Sequence, residues 1–282
     1  MKHPLIRSKA KLARAIAIIG TSILLLLFVL PPLAIPFLTS FKNASDVYAL
    51  PVKLLPAPFT LESYVNAIVQ KGFHLNLLNS FFVASTVTFL TLILALPPAY
   101  ALARFQFAGR RFITISVLLA YLVPSVALLV PLFATFRFMG LAGTFGALVI
   151  AHLLFTVPFA VWFLRGYFSY VPWELEEAAM VDGCRRIEAL FRVVLPLLTP
   201  GILAIGFFSF ISSWGEFLYA LVFAGTRTAT APIAMAQYVA EAYIDWGGLS
   251  AASMMFSVPV AILFLFFQRY LISGMAAGSV KG

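Results

Sequence analysis

The stretch between positions 171 and 200, VPWELEEAAMVDGCRRIEALFRVVLPLLTP, gathers Glu174, Glu176, Glu177, Asp182 and Glu188 beside Arg185, Arg186 and Arg192. No other part of the chain is as charged. Residues of these types suit docking by charge and shape. They do not form a nucleophile, base and orienter set. The three histidines, His3, His74 and His152, are far apart in sequence and lack metal-ligand spacing; His152 reads as a hydrogen-bonded structural residue. Cys184 is the lone cysteine, which excludes an intrachain disulfide. No G-x-x-x-x-G-K-[ST] run occurs, so no Walker A loop cradles nucleotide phosphates and ATP chemistry would need a separate subunit.

The charged stretch reads as two short helices. Pro172 suits a first turn, and Glu174, Glu176 and Glu177 complement the positive end of the helix dipole. Ala178 and Ala179 give a flank with almost no side chain, which a partner can approach closely. Asp182 and Gly183 form a natural stop. In the second helix, Ile187, Leu190, Phe191, Val194 and Leu195 fall on one stripe, expected to lie against membrane-embedded helices. Pro196 and Pro200 are expected to end it and turn the chain into the next span.

The elements that must position this segment are membrane spans. Of 282 residues, 62% are apolar and 10% charged, against roughly 45 to 50% and 25% in soluble domains. The 29 phenylalanines need lipid to cover them. An apolar helix crosses the hydrocarbon core in about 20 residues, and six runs are long enough: about 15–38, 76–101, 112–136, 143–164, 201–224 and 250–270. The fold class is therefore all-α, an integral membrane protein with six transmembrane helices in a single domain over 1–282. The first run is too long for a signal-peptide core, and no small-residue cleavage site follows it. Fourteen Lys and Arg residues fall in one set of alternating loops and five in the other. Basic residues are retained inside, so both termini and the segment 165–200 are expected in the cytoplasm. The surplus positive charge follows topology and forms no nucleic-acid face. Pro124 and Pro131 either mark one shared protein-facing side of the third span or simply bend it.

Within the spans, Glu216 is the only acidic candidate. A carboxylate there is costly unless it faces a polar path. Trp214, Glu216 and Tyr219 in the fifth run, with Tyr121 in the third, could offer ring faces and hydrogen bonds to a neutral sugar. The plainer alternative is an interfacial aromatic belt with a snorkelling acid. An ion-coupled transporter would rest on Glu216 alone, and a membrane enzyme would need clustered polar groups that the spans lack.

Within the charged stretch, EAAMVDGCRRIEALFRVVLPLLTP resembles the EAA loop of type I ATP-binding-cassette importers: EAA, two residues, D-G-A, a spacer, an apolar stretch closing in L-P, then a further Pro. Glu177, Ala178, Ala179, Asp182, Gly183, Leu195, Pro196 and Pro200 match, and Cys184 replaces the usual alanine. The ending QRYLISGMAAGSVKG, with NSFFVASTVTFLTLILALPPAYALARFQFAGRR and LTSFKNASDVYALP, resembles the maltose-permease G-type subunits of carbohydrate importers. This likeness implies a permease subunit, not an enzyme, in the bacterial cytoplasmic (inner) membrane. Its implied partners are a sister permease in a heterodimer, two ATPase subunits that bind ATP and Mg, and an extracytoplasmic sugar-binding protein. It also implies that the EAA helix docks in an ATPase cleft and that the tail Gly278, Ser279, Val280, Lys281 and Gly282 reaches the ATPase. A non-sugar solute such as glycerol phosphate is the alternative cargo.

Overall fold

Lipid offers no partner to a backbone amide, so a chain of this composition must close its hydrogen bonds within helices. The computed structural model describes residues 4–239 and 244–279, with side chains over 14–239 and 244–270. Among the described residues, pairing of the strand type is confined to one isolated bridge between Gly143 and Ala224. By its internal contacts the chain divides into two compact units, 1–72 with 238–255 and 73–237 with 256–282.

The first unit contains α1 (Pro4–Thr39), α2 (Ala44–Val47), α3 (Glu62–Val65, continued by a π turn over Asn66–Gln70) and the start of α13 (Trp246–Ser279). The apolar window of α1 buries nothing within the chain. The segment after it is held by polar contacts. Asn43 caps α2 by accepting from the Asp46 amide at 2.8 Å, and Lys71 sits 3.9 Å above the Tyr238 ring.

The second unit holds α4 (Phe73–Arg104), α5 (Arg110–Leu122), α6 (Ser125–Phe138), α7 (Phe145–Phe168), α8 (Trp173–Val181), α9 (Arg186–Ala189), α10 (Leu195–Trp214), α11 (Leu218–Phe223) and α12 (Ala231–Ala236). At its centre α4 and α7 pack together, and α10 lies against both. Small side chains permit this approach: Ala95 and Ala99 of α4 meet Ala160 and Leu164 of α7, with Leu198 and Ile205 of α10 in the same cluster. Across the interface the hydroxyls of Thr91 and Thr156 hydrogen-bond at 2.7 Å, a contact worth about 0.6 kcal/mol on average between membrane helices.

Helices long and apolar enough to cross a membrane cover 14–39, 73–104, 145–168, 186–214 and 246–270, and α5 with α6 makes a sixth if the bent pair is one span. Three sequence expectations need correction. The run 112–136 is no straight helix: α5 and α6 meet at 91°. Pro124 pushes Val123 out of the helical region to φ −62, ψ 125. Both Pro124 and Pro131 are exposed, so a shared protein-facing side is not what they form within this chain.

The run 201–224 breaks at Gly215 before α11. Glu216 causes the break by accepting hydrogen bonds from the amides of Tyr219 and Ala220 at 2.8 and 3.0 Å, satisfying donors that a new helix start leaves open.

Pro196 and Pro200 do not end a short second helix. The chain stays helical from Arg186 to Trp214, through a π turn over Leu190–Val194 in which the Leu195 amide donates to the Leu190 carbonyl. That register shift comes just before Pro196, so the missing N–H falls in the first turn of α10, where a helix tolerates it. The turn also rotates the stripe. Ile187 and Phe191 are exposed, while Ala189, Val194 and Leu198 face inward.

Candidate functional site

The charged segment builds α8 between two punctuation marks. Pro172 stands at its N-terminus with extended ψ 137, and Glu174 and Glu176 lie in its first turn. At the other end Gly183 adopts φ +94. The Gly183 amide donates to the Met180 carbonyl and the Cys184 amide to the Ala179 carbonyl, at 3.1 and 3.0 Å. This pair of bonds is the Schellman closure, which needs a left-handed residue and so favours glycine. The stop read from Asp182 and Gly183 is therefore a specific turn, and it gives α8 its length of nine residues.

The two faces of α8 differ. Glu177, Ala178 and Asp182 are exposed, flanked by the exposed Leu175 and Val181. Ala179 is buried, so of the two alanines only Ala178 offers the bare flank. On the other face Glu176 is fully buried. Its carboxylate accepts a hydrogen bond from the Tyr100 hydroxyl and lies 3.2 Å from Nε of Arg104. Arg104, in the last turn of α4, also donates from Nη2 to the Val171 carbonyl at 3.0 Å. The Trp173 ring has the Arg104 and Arg186 guanidinium groups at 5.3 and 5.4 Å. Read from the sequence, Glu176 has only a helix-dipole role beside Glu177, and Arg104 and Tyr100 have no role at this site. The available signal was an arginine ending one apolar span and an extra acid beginning a short helix, each complementing a dipole end.

Leu195 and Pro196 lie on the long helix Arg186–Trp214, Leu195 half-buried and Pro196 exposed. Gly278 and Ser279 close α13 as helix, so the tail does not begin where the last apolar run ends. Val280, Lys281 and Gly282 lie outside the described residues.

Of the four residues read as a possible sugar platform, three come together at the end of α10. Trp214 is 2% exposed, stacked between Phe210 and Phe256 at 5.6 and 5.0 Å. No ring face remains for a ligand. Tyr219 is 1% exposed and packs beside His152 and Phe223. Glu216 turns its carboxylate to the start of α11 and to Nε2 of His152 at 3.3 Å. The other ring nitrogen of His152 meets the Ser213 hydroxyl at 2.7 Å, which agrees with the structural reading of that histidine. Tyr121 sits apart on α5, its ring 5.1 Å from Phe159.

A groove of about 790 Å³ lies elsewhere, between α7 and α10. Phe159, Phe163 and Tyr167 line one wall, Phe208, Ile211 and Ser212 the other. The rings form a ladder with centroid spacings of 4.2 Å for Phe159 and Phe208, 6.0 Å for Phe159 and Phe163, and 5.1 Å for Phe163 and Tyr167. Gly201 makes room for it, since a Cβ there would stand 2.3 Å from the Tyr167 ring. The buried Tyr167 hydroxyl has no hydrogen-bond partner.

Comparison with known proteins agrees with this architecture. Residues 87–277 match the family model of the binding-protein-dependent transport system inner membrane component. The sulfoquinovosyl glycerol transport system permease protein of Agrobacterium fabrum is 38% identical over 94% of this chain and 93% of its own. The trehalose/maltose transport system permease protein of Thermococcus litoralis is 36% identical over 96% and 98%. Among solved structures, a bacterial ABC transporter involved in the import of the acidic polysaccharide alginate superposes with a TM-score of 0.75 at 23% identity, covering 92% of this chain and 98% of that one, which establishes the fold. A multi-pass helical fold and relatives alike over nearly their whole length lead to one assignment: the chain belongs to the binding-protein-dependent transport system inner membrane components, the permease subunits of ABC importers.

Proposed function

We propose that the whole chain is one permease domain that forms, with a sister permease, the path for a mono- or oligosaccharide. Two ATPase subunits that bind ATP and Mg power it from the cytoplasm, and an extracytoplasmic sugar-binding protein delivers the cargo. Both termini and the segment 165–200 face the cytoplasm, on the fourteen-to-five division of basic residues. The observation that carries the reading is the form of α8. It is a nine-residue helix with an exposed, nearly bare face at Ala178, closed by Gly183 and anchored from behind by a buried ion pair. A helix so held can receive a push without yielding.

Glu177, Ala178, Asp182 and Gly183 form the docking surface and turn, while Ala179, Leu195 and Pro196 seat the segment on the long helix that runs to Trp214. The C-terminal residues Gly278 to Gly282 reach toward the same ATPase, carried there by α13. The sugar passes along the aromatic groove between α7 and α10, whose ring faces suit the apolar face of a pyranose. Trp214, Glu216 and Tyr219 serve that path by fixing the end of α10 and the start of α11, and Tyr121 borders it through Phe159. The sugar transport systems named for the relatives at 38% and 36% identity favour this class of cargo.

The test is co-purification of the chain with a Walker-motif ATPase, with uptake measured across a panel of sugars in the same membranes. A reporter fused at Gly183 should stay cytoplasmic; an exported reporter would overturn both the orientation and the docking. Trp162→Ala, at the groove edge, should alter KM for the transported sugar. An unchanged KM across the panel would remove the groove from the path.

A further inference from the structure

We propose that Arg104, Glu176 and Tyr100 form a positioning link that carries the movement of α8 into α4. This role rests on the function proposed above and is distinct from the docking surface.

The geometry separates receiving a force from passing it on. Successive residues of a helix turn by 100°, so Ala178 and Glu176 project about 200° apart. A subunit pressing on Ala178 therefore drives Glu176 toward Arg104 at the end of α4. Arg104 holds α8 at two points: the Val171 carbonyl just before the helix at 3.0 Å, and the Glu176 carboxylate within it at 3.2 Å. Two attachments from one planar group resist rotation of α8 about its axis as well as translation. Tyr100, one turn back along α4, adds a hydrogen bond to the same carboxylate. Trp173 links the cluster to α9 through the Arg186 guanidinium.

Stability does not account for such a pair. Burying two charges carries a desolvation cost that apolar side chains of similar volume avoid, so an ion pair here gains little over a hydrophobic contact. What the cluster adds is position: beside the ion pair, the Tyr100 hydroxyl donates to the Glu176 carboxylate and Arg104 donates to the Val171 carbonyl, so both charged groups are held in place by directional bonds. Among the described residues, Glu176 is the only acid with no exposed surface, and it sits where α8 meets the end of α4, beside the Arg104 guanidinium that also lies over the Trp173 ring.

The experiment uses the assembled transporter in proteoliposomes with its ATPase and sugar-binding protein, recording ATP hydrolysed and sugar imported. Arg104→Met or Glu176→Gln alone leaves a buried charge unpaired and is expected to weaken assembly. The informative variant is therefore the double one, Arg104→Met with Glu176→Gln, which removes both charges. It should assemble and hydrolyse ATP as the parent does, yet import roughly tenfold less sugar per ATP, a size typical of coupling between sites. A purely structural pair would show the parental ratio in the double variant, and that result overturns the link. Tyr100→Phe and Arg104→Lys guard against a double variant that fails to assemble. Both keep the charges while loosening the geometry, and should lower sugar per ATP with partial recovery in Arg104→Lys relative to Arg104→Met. Parental ratios in both would also overturn the link. If the unmodified chain bound no ATPase, the functional reading itself would fail, and the link with it.

Discussion

Glu176 and Glu216 are both carboxylates set against a cationic or protonatable partner, yet they hold different things together. Glu176 joins α8 to the end of α4, using Arg104 and the phenol of Tyr100, 76 positions earlier. Glu216 caps the helix that starts two residues after it and leans on His152, which is itself fixed by Ser213. One acid connects a surface element to the core; the other shapes a turn within the core. A carboxylate in an apolar chain is thus not a pointer to cargo by itself. What it bonds to decides whether it moves, grips or folds.

The contrast can be broken first at the surface in front of Glu176. Ala178→Trp should overfill the docking face and cost at least about 3 kcal/mol of ATPase association, roughly a hundredfold in affinity. Pull-down would show the loss while the permease still inserts. Normal association and uptake would make α8 a passive connector.

Next comes the turn. Gly183→Val places a β-branched residue at φ +94, a strain of about 1–3 kcal/mol, and uptake should fall by a larger factor than ATPase binding because α8 remains but points differently. Equal losses in both would mean the turn only positions the docking face.

Glu216→Gln tests the other half of the comparison. Losing a charge-assisted cap and the His152 contact should destabilise the protein by about 1–3 kcal/mol, read as a lowered unfolding temperature in detergent, with KM for sugar unchanged. A changed sugar preference at unchanged stability would return Glu216 to the path. The smallest effect belongs to Ser213→Ala, which strips one hydrogen bond from His152 and should cost about 1 kcal/mol by the same measurement. A loss larger than that of Glu216→Gln would reverse the order of importance within the cluster.

How much of this was legible in the sequence follows from the range over which each signal acts. Gly183 could be read because a helix stop is local: a flexible residue, an acid before it and a new helical pattern after it lie within a few positions. The apolar runs were legible because lipid demands length. The break in the third run was only half legible, since proline announces a disturbance and leaves its angle to the neighbours. Pro196 misled because the π turn that accommodates it depends on where α9 must lie against the rest of the unit. Trp214 misled because stacking on Phe256 joins residues 42 positions apart, and an aromatic near a span end looks the same whether its faces are covered or free. Glu176 reads in the sequence as a dipole-matching acid and no more, because Glu177, one position on, belongs to the recognisable motif, while the burial of its neighbour depends on Arg104, far back in the chain.

The bend between α5 and α6 sets a requirement on what surrounds it. With 13 and 14 residues, each arm is about 20 Å long, short of a hydrocarbon core of about 30 Å. Neither arm is a complete crossing, and the carbonyls at the end of α5 lose their helical donors where Pro124 intervenes. Hydrocarbon cannot supply those donors. Where the elbow lies within the hydrocarbon, whatever borders it has to offer hydrogen bonds, which means water or another polypeptide rather than acyl chains.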